Sequence, residues 1–303
     1  MKLILFTWIF FVIAYLLYAD AYLSEDRIYY SSDSYHIDYD NEIIYANGHA
    51  FFRKESKTVN ADRIIIYYSD DQKKAQLFNN VIVIDADNNT TVTGDYGEAL
   101  YKEGLYIIEG NVVFTDEERT IKSEKIRTLD GEETLFTGSV FYSDDEYDIE
   151  APSLNIIDDT VTFQSNVEAL HRESGDTIYC ESITYNSETG NMIFLEKVFY
   201  VQGEGEEGER AFLMRSNAVR YFKESDTFVL LGDVFVLDGE FTVQSSIARY
   251  FRDIGVLRVS GDIVLQEDEK YIYCNNANYD RNTKKTVLFN SVRGLLLEYH
   301  NSE

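Results

Sequence analysis

Few residues in this chain are spaced for chemistry. Asp85-Ala86-Asp87-Asn88-Asn89 opens like a calcium loop. Such a loop needs Gly at its sixth position and Glu at its twelfth, where this chain has Thr90 and Tyr96. A hairpin tip suits the stretch better, because Asp and Asn side chains bond readily to turn backbone. His36, His49, His171 and His300 are scattered, with no metal-ligand spacing. The pairs Asp144-Asp145 and Asp158-Asp159 have the residue type of glycosidase carboxylates but fall at expected turns. Neither G-x-S-x-G nor a Gly-rich phosphate loop occurs. The reading is of a non-enzyme with no catalytic residue, no metal and no cofactor.

The elements that would have held such residues are themselves regular. Residues 228–251 read as two strands joined at Asp238-Gly239, each with a small residue in its middle, Gly232 and Ser245. Small residues inside strands mark bends, bulges or close packing. The unit recurs. Ala50, Val81, Val112, Val140, Val167, Val198, Val234, Ile263 and Val292 follow one another at steps of 31, 31, 28, 27, 31, 36, 29 and 29 residues. Most stand second after Gly, Asn or Ser. A fixed period of this size signals an array of supersecondary units.

The flanking columns repeat too. Four residues before these positions stand Ala46, Leu77, Ile108, Phe136, Phe163, Phe194, Leu230, Val259 and Leu288. The second arm carries Val59, Val92, Ile121, Ile149, Ile178, Met214, Val243 and Ile272, each followed two residues later by Ala61, Gly94, Ser123, Ala151, Cys180, Ser216, Ser245 or Cys274. Residues two apart in a strand share a face, so these columns are expected to line one inner wall. The alternate positions Phe51, Ile82, Val113, Phe141, Phe199, Phe235 and Val264 are assigned outward, although apolar.

Both cysteines fall in the small-residue column, three repeats apart. Six strands at about 4.8 Å put them on the order of 29 Å apart, beyond the roughly 7 Å that a disulfide spans. Two free, buried thiols are expected. One Pro among 303 residues and 15% aromatics favour strands, and the net charge of −27 argues against a nucleic-acid partner. Residues 1–21 join one Lys and an apolar run to Ala19-Asp20-Ala21, the pattern of a cleaved secretory signal peptide that exports the chain to the periplasm, with an uncleaved inner-membrane anchor as the alternative. Residues 22–303 then form one β-repeat domain, with clear repeats over about 40–297 and an acidic loop at 203–209.

The pattern G-x-V-x-φ, a polar hairpin, then φ-x-[A/S/G/C]-[D/E]-x-φ resembles the OstA-like family of LptA, LptC and the periplasmic part of LptD. Asn60-Ala61-Asp62-Arg63-Ile64, Gly110-Asn111-Val112-Val113-Phe114 and Leu231-Gly232-Asp233-Val234-Phe235 carry it best. The resemblance implies an all-β, V-shaped β-jelly-roll of stacked antiparallel hairpins, open at both ends. It implies a periplasmic carrier of lipopolysaccharide or a related glycolipid. Its acyl groove would be lined by Ala46, Leu77, Ile108, Phe136, Phe163, Phe194, Leu230, Val259, Val112, Val140, Val167, Val234, Ile121, Ile149, Ile178 and Val243. It further implies membrane-anchored and outer-membrane partners of related fold. Unpaired apolar strand edges, such as residues 287–297, are expected to dock head to tail with copies of the chain or with those partners. The other reading is a structural β-repeat protein with a filled core and no lipid.

Overall fold

The computed structural model describes residues 28–69, 71–129, 132–203, 212–268 and 270–296. The expected signal segment, Asp130-Gly131, all but Gly203 of the acidic loop and the last residues from 297 lie outside these. The chain divides into two compact units, Met1–Val161 and Thr162–Glu303. The first unit holds β1 (Ile28–Ser31), β2 (Ser34–Asp38), β3 (Ile43–Lys54), β4 (Lys57–Tyr67), β5 (Lys74–Asp85), β6 (Thr90–Leu100), β7 (Leu105–Thr115), β8 (Arg119–Leu129), β9 (Glu133–Asp144) and β10 (Tyr147–Ile157). β11 (Thr160–His171) starts in the first unit and runs on in the second. The second unit continues with β12 (Thr177–Asn186), β13 (Met192–Val201), β14 (Phe212–Phe222), β15 (Thr227–Asp238), β16 (Phe241–Phe251), β17 (Val256–Glu267), β18 (Lys270–Asp280), β19 (Lys285–Phe289) and β20 (Arg293–Leu296). Single 3-10 turns at Tyr101–Glu103 and Lys223–Ser225 are the helical segments among the described residues. The fold is all-β and antiparallel, as the repeat implied.

Each long odd-numbered strand bends at a pair of left-handed residues, a Gly-x pair in β3, β7, β9, β15 and β17 and Asn79-Asn80, Ser165-Asn166 and Glu196-Lys197 in β5, β11 and β13. In β7 the pair is Gly110-Asn111, with left-handed φ of +79° and +47°. On β8 the register passes from Lys125 opposite Glu109 to Ser123 opposite Val112, so two residues face one. The one extra residue on β7 leaves Ile108 and Val112 both buried, while on β8 the inward positions shift by one, from Ser123 to Ile126. Glycine suits position 110 for a second reason: a Cβ there would lie 2.5 Å from the Asp95 carboxylate, which would have to shift. After the bend, the first inward residue, branched in every long repeat but the first, meets a small one across the strands. The pairs include Ala50 with Ala61, Val81 with Gly94, Val112 with Ser123, Val234 with Ser245 and Ile263 with Cys274. The small column also supplies donors. Ser123, Ser216 and Ser245 each donate through Oγ to the carbonyl two residues on, at 3.2, 2.9 and 3.2 Å, and Cys180 Sγ does so at 3.3 Å.

Within each unit the bends fold the strands into two layers. Phe114 on β7 lies level with Tyr142 on β9 through Ile121. Yet its ring packs edge-on against Phe136, on the far side of the β9 bend, at 5.9 Å between centroids. In the second unit Tyr200, after the β13 bend, sits 5.6 Å from Phe228, before the β15 bend. Such contacts need the two halves of the strands face to face.

The outward apolar row is explained by cross-strand alternation. Val113 pairs with Lys122 and Lys122 with Phe141; Arg215 stands between Phe199 and Phe235. Lys122 Nζ lies 5.9 Å from the Phe141 ring centre and Arg215 Cζ 5.6 Å from that of Phe235. The long cationic stems half-cover these rings while their heads stay in water.

Candidate functional site: the apolar interior and its mouth

All sixteen residues expected in the groove lie on the inner faces, between 0 and 8% exposed. Ala46, Leu77, Ile108, Val112, Ile121, Phe136, Val140 and Ile149 belong to the first unit; Phe163, Val167, Ile178, Phe194, Leu230, Val234, Val243 and Val259 belong to the second. Within each unit the inner side chains of the two layers are buried against one another. The last repeat departs from the pattern: Leu288 is half-buried and Val292 is 50% exposed. Asp85–Thr90 forms the β5–β6 tip, where Asp85 accepts from the Asp87 N–H at 3.1 Å and from Asn88 Nδ2 at 2.8 Å. Cys180 and Cys274 are buried free thiols, and burial pushes Cys180 up to about 12. A groove of about 680 Å³ opens on the outer side of the second unit, where Phe199, Arg215, Phe235 and Gln244 line it.

Sequence reasoning missed the mouth of the second unit, the rim opposite the bends. Here the tips of the two layers meet through polar side chains. Asp238 ends the post-bend half of β15 and is 1% exposed. Its Oδ2 accepts from Tyr279 Oη at 2.7 Å, Lys284 Nζ at 2.8 Å and Arg281 Nε at 3.4 Å, all at the other layer's rim. Burial opposes the ionised form, but the Lys284 and Tyr279 hydrogen bonds and the two cationic charges outweigh it, holding the carboxyl below its usual value. Arg281 also donates to Gln202 Oε1 at 3.0 Å and Tyr250 Oη at 2.9 Å, with its guanidinium 3.7 Å from the Phe212 ring centre. Arg252 clasps Asp226 at 3.0 and 2.8 Å on its own layer and reaches Asp176 across the rim at 3.5 Å. Asp176 also accepts from Tyr200 Oη at 2.8 Å. Burial, then the Asp176 charge, raises the pKa of that hydroxyl far above its usual value and keeps it a donor.

The signal for this rim was present in the sequence. Tyr221, Tyr250 and Tyr279 recur at steps of 29 residues, and each is followed two positions later by a cation: Lys223, Arg252 or Arg281.

Residues 29–128 match the family described as LptA/(LptD N-terminal domain) LPS transport protein. Over this stretch, about a third of the chain, the sequence is similar to the LptA-like family. The LptA-like match runs from β1 to β8, and the same bend and branched-to-small pairing continue beyond it to Ile263 and Cys274. The chain is also similar to a solved structure described as LptH, the LptA homologous periplasmic component of the conserved lipopolysaccharide transport device from Pseudomonas aeruginosa. That similarity is 17% in identity and covers 48% of this chain and 84% of the other; the TM-score of 0.24 is too low to bear on the fold. No match is found among curated proteins.

Proposed function

We propose that the protein is a periplasmic carrier for an acylated glycolipid of the lipopolysaccharide class. Acyl chains would be held between the two layers, without catalysis. The observation that carries this reading is the repeated inner wall: apolar columns continue strand after strand within each unit, beginning in the stretch that matches the LPS transport family. An inserted chain would replace layer-to-layer contact with its own, and each buried CH₂ contributes about 0.8 kcal/mol. Uniform walls bind weakly everywhere and so allow sliding. Partners of related fold would extend the path at the strand edges.

A specific observation favours the second reading, a filled structural core. Phe136, Phe163 and Phe194 are at most 2% exposed, so the layers must part before lipid can lie between them. A photo-crosslinking residue decides between the two. Placed at Phe163 or Phe194 in protein isolated from its own cells, it should trap a glycolipid, whereas at exposed Glu168 it should not. No adduct at either inner position, or equal adducts at all three, would favour the filled core.

A further inference from the structure

The rim of the second unit holds more polar chemistry than closing an apolar core requires. Three donors, from Tyr279, Lys284 and Arg281, converge on one oxygen of Asp238, while the buried second oxygen, Oδ1, has no hydrogen-bond partner among the described residues. A planar carboxylate in this position leaves half its acceptor capacity idle. A tetrahedral oxyanion would offer the same donors separate oxygens. The charges are also sorted. The cations of the seam, Arg252, Arg281 and Lys284, sit on one lip, and the carboxylates they reach across it, Asp176 and Asp238, sit on the other.

The tips are free to separate in one further respect. Their backbone hydrogen bonds stay within a layer: Arg252 N–H to Asp226 C=O and Arg281 N–H to Gly255 C=O on one lip, Gln202 N–H to Phe212 C=O on the other. Side chains alone are described as bridging the lips. Behind them stand Phe212, Phe228 and Tyr250, with Arg252 Cζ 5.8 Å from the Phe228 ring centre and Arg281 Cζ 5.9 Å from that of Tyr250. The cations therefore sit where water meets the apolar interior.

We propose that this rim is a lateral portal for an anionic amphiphile. The phosphate or similar oxyanion of its headgroup displaces Asp176 and Asp238 from Arg252, Arg281 and Lys284, and its acyl chain passes between the parted lips. The headgroup thereby offsets the cost of separating the ion pairs, because each cation keeps an anionic partner. The proposal rests on the carrier reading for the chain-accepting interior and adds the place of access and the sign of the headgroup.

Calorimetric titration of the purified protein tests it with three probes: dodecyl phosphate below its micellar concentration, dodecyl maltoside and inorganic phosphate. Dodecyl phosphate should bind saturably, and each of the other two about tenfold more weakly or less. Arg252→Gln with Arg281→Gln should weaken dodecyl phosphate about tenfold, and Arg252→Lys with Arg281→Lys should restore most of the loss. Lys284→Gln, at a side chain 49% exposed, serves as the milder variant should the double change unfold the rim, and it should weaken binding in the same direction. Binding of dodecyl phosphate that depends on the chain but ignores these substitutions would overturn the portal and leave the carrier standing. Equal binding of dodecyl phosphate and inorganic phosphate would overturn chain insertion at this rim. Tighter binding of dodecyl maltoside than of dodecyl phosphate would overturn the role of the cations.

Discussion

The Tyr279 hydroxyl donates to the Asp238 carboxylate at 2.7 Å, although the strand register places them far apart. Asp238 pairs with Phe241, Phe241 with Glu267 and Glu267 with Lys270, so Lys270 is the β18 residue level with Asp238. From Lys270 a straight strand would carry Tyr279 about 30 Å away. The hydrogen bond exists because β15 and β18 both bend at their middle and bring opposite ends together.

Asp238 is therefore expected to act as a tie between layers whose strength depends on pH. Its folded pKa is depressed by Lys284, Tyr279 and Arg281 against the opposing effect of burial. The stabilisation is present above the unfolded Asp value, about 3.9, and is lost as pH falls through the lower folded value. Urea unfolding at pH 7 should show Asp238→Asn less stable than the parent by roughly 1.5–3 kcal/mol. The gap should persist at pH 5 and close below about pH 4. A gap that stays constant to pH 3 would mean that the ionised carboxylate is not the tie.

The bend residues should discriminate by backbone conformation rather than by size. Gly110 has φ +79° and a blocked Cβ position, so Gly110→Ala should cost about 1–3 kcal/mol. Asn79 occupies the equivalent place in β5 at φ +56°. Gly110→Asn should accordingly be milder than Gly110→Ala, since Asn tolerates the left-handed region. Thermal melts of the two variants in parallel check the order, and the reverse order would refute the conformational argument.

Cys180 should behave as a structural residue. Its Sγ bonds to the Ser182 carbonyl as the hydroxyls of Ser123, Ser216 and Ser245 bond at the same column. Cys180→Ser should change stability by less than about 1 kcal/mol, whereas Cys180→Leu should overpack the column and cost about 1–3 kcal/mol. With its pKa near 12 and its side chain buried, Cys180 should resist alkylation at pH 8 in the native state and react promptly in urea.

The β19–β20 edge offers a test of the proposed self-association. β19 and β20 pair with β18, and Val287, Phe289 and Val292 are 53, 43 and 50% exposed. Apolar, exposed edge segments favour strand addition from another chain. Removing residues 285–303 should leave the sheet intact by circular dichroism while abolishing self-association in analytical ultracentrifugation. Undiminished association of the truncated protein would place the docking edge elsewhere.

The repeat, the bends and the inner wall were legible in the sequence, because each depends on neighbours within a strand or across one register. Branched Val112 opposite small Ser123, and Gly110 before Asn111, are local requirements of a bent antiparallel ladder, and local requirements recur with the period. The outward rings at Phe141 and Phe235 became intelligible only when cross-strand pairing placed Lys122 and Arg215 beside them. The rim was still further from view. Asp238 and Arg281 are separated by 43 positions and three strands, and nothing in a strand period specifies which tip faces which. That depends on how sharply each bend closes the layers. Closure is decided by the packing of Phe114 on Phe136 and of Tyr200 on Phe228, a property of the folded interior rather than of any one repeat.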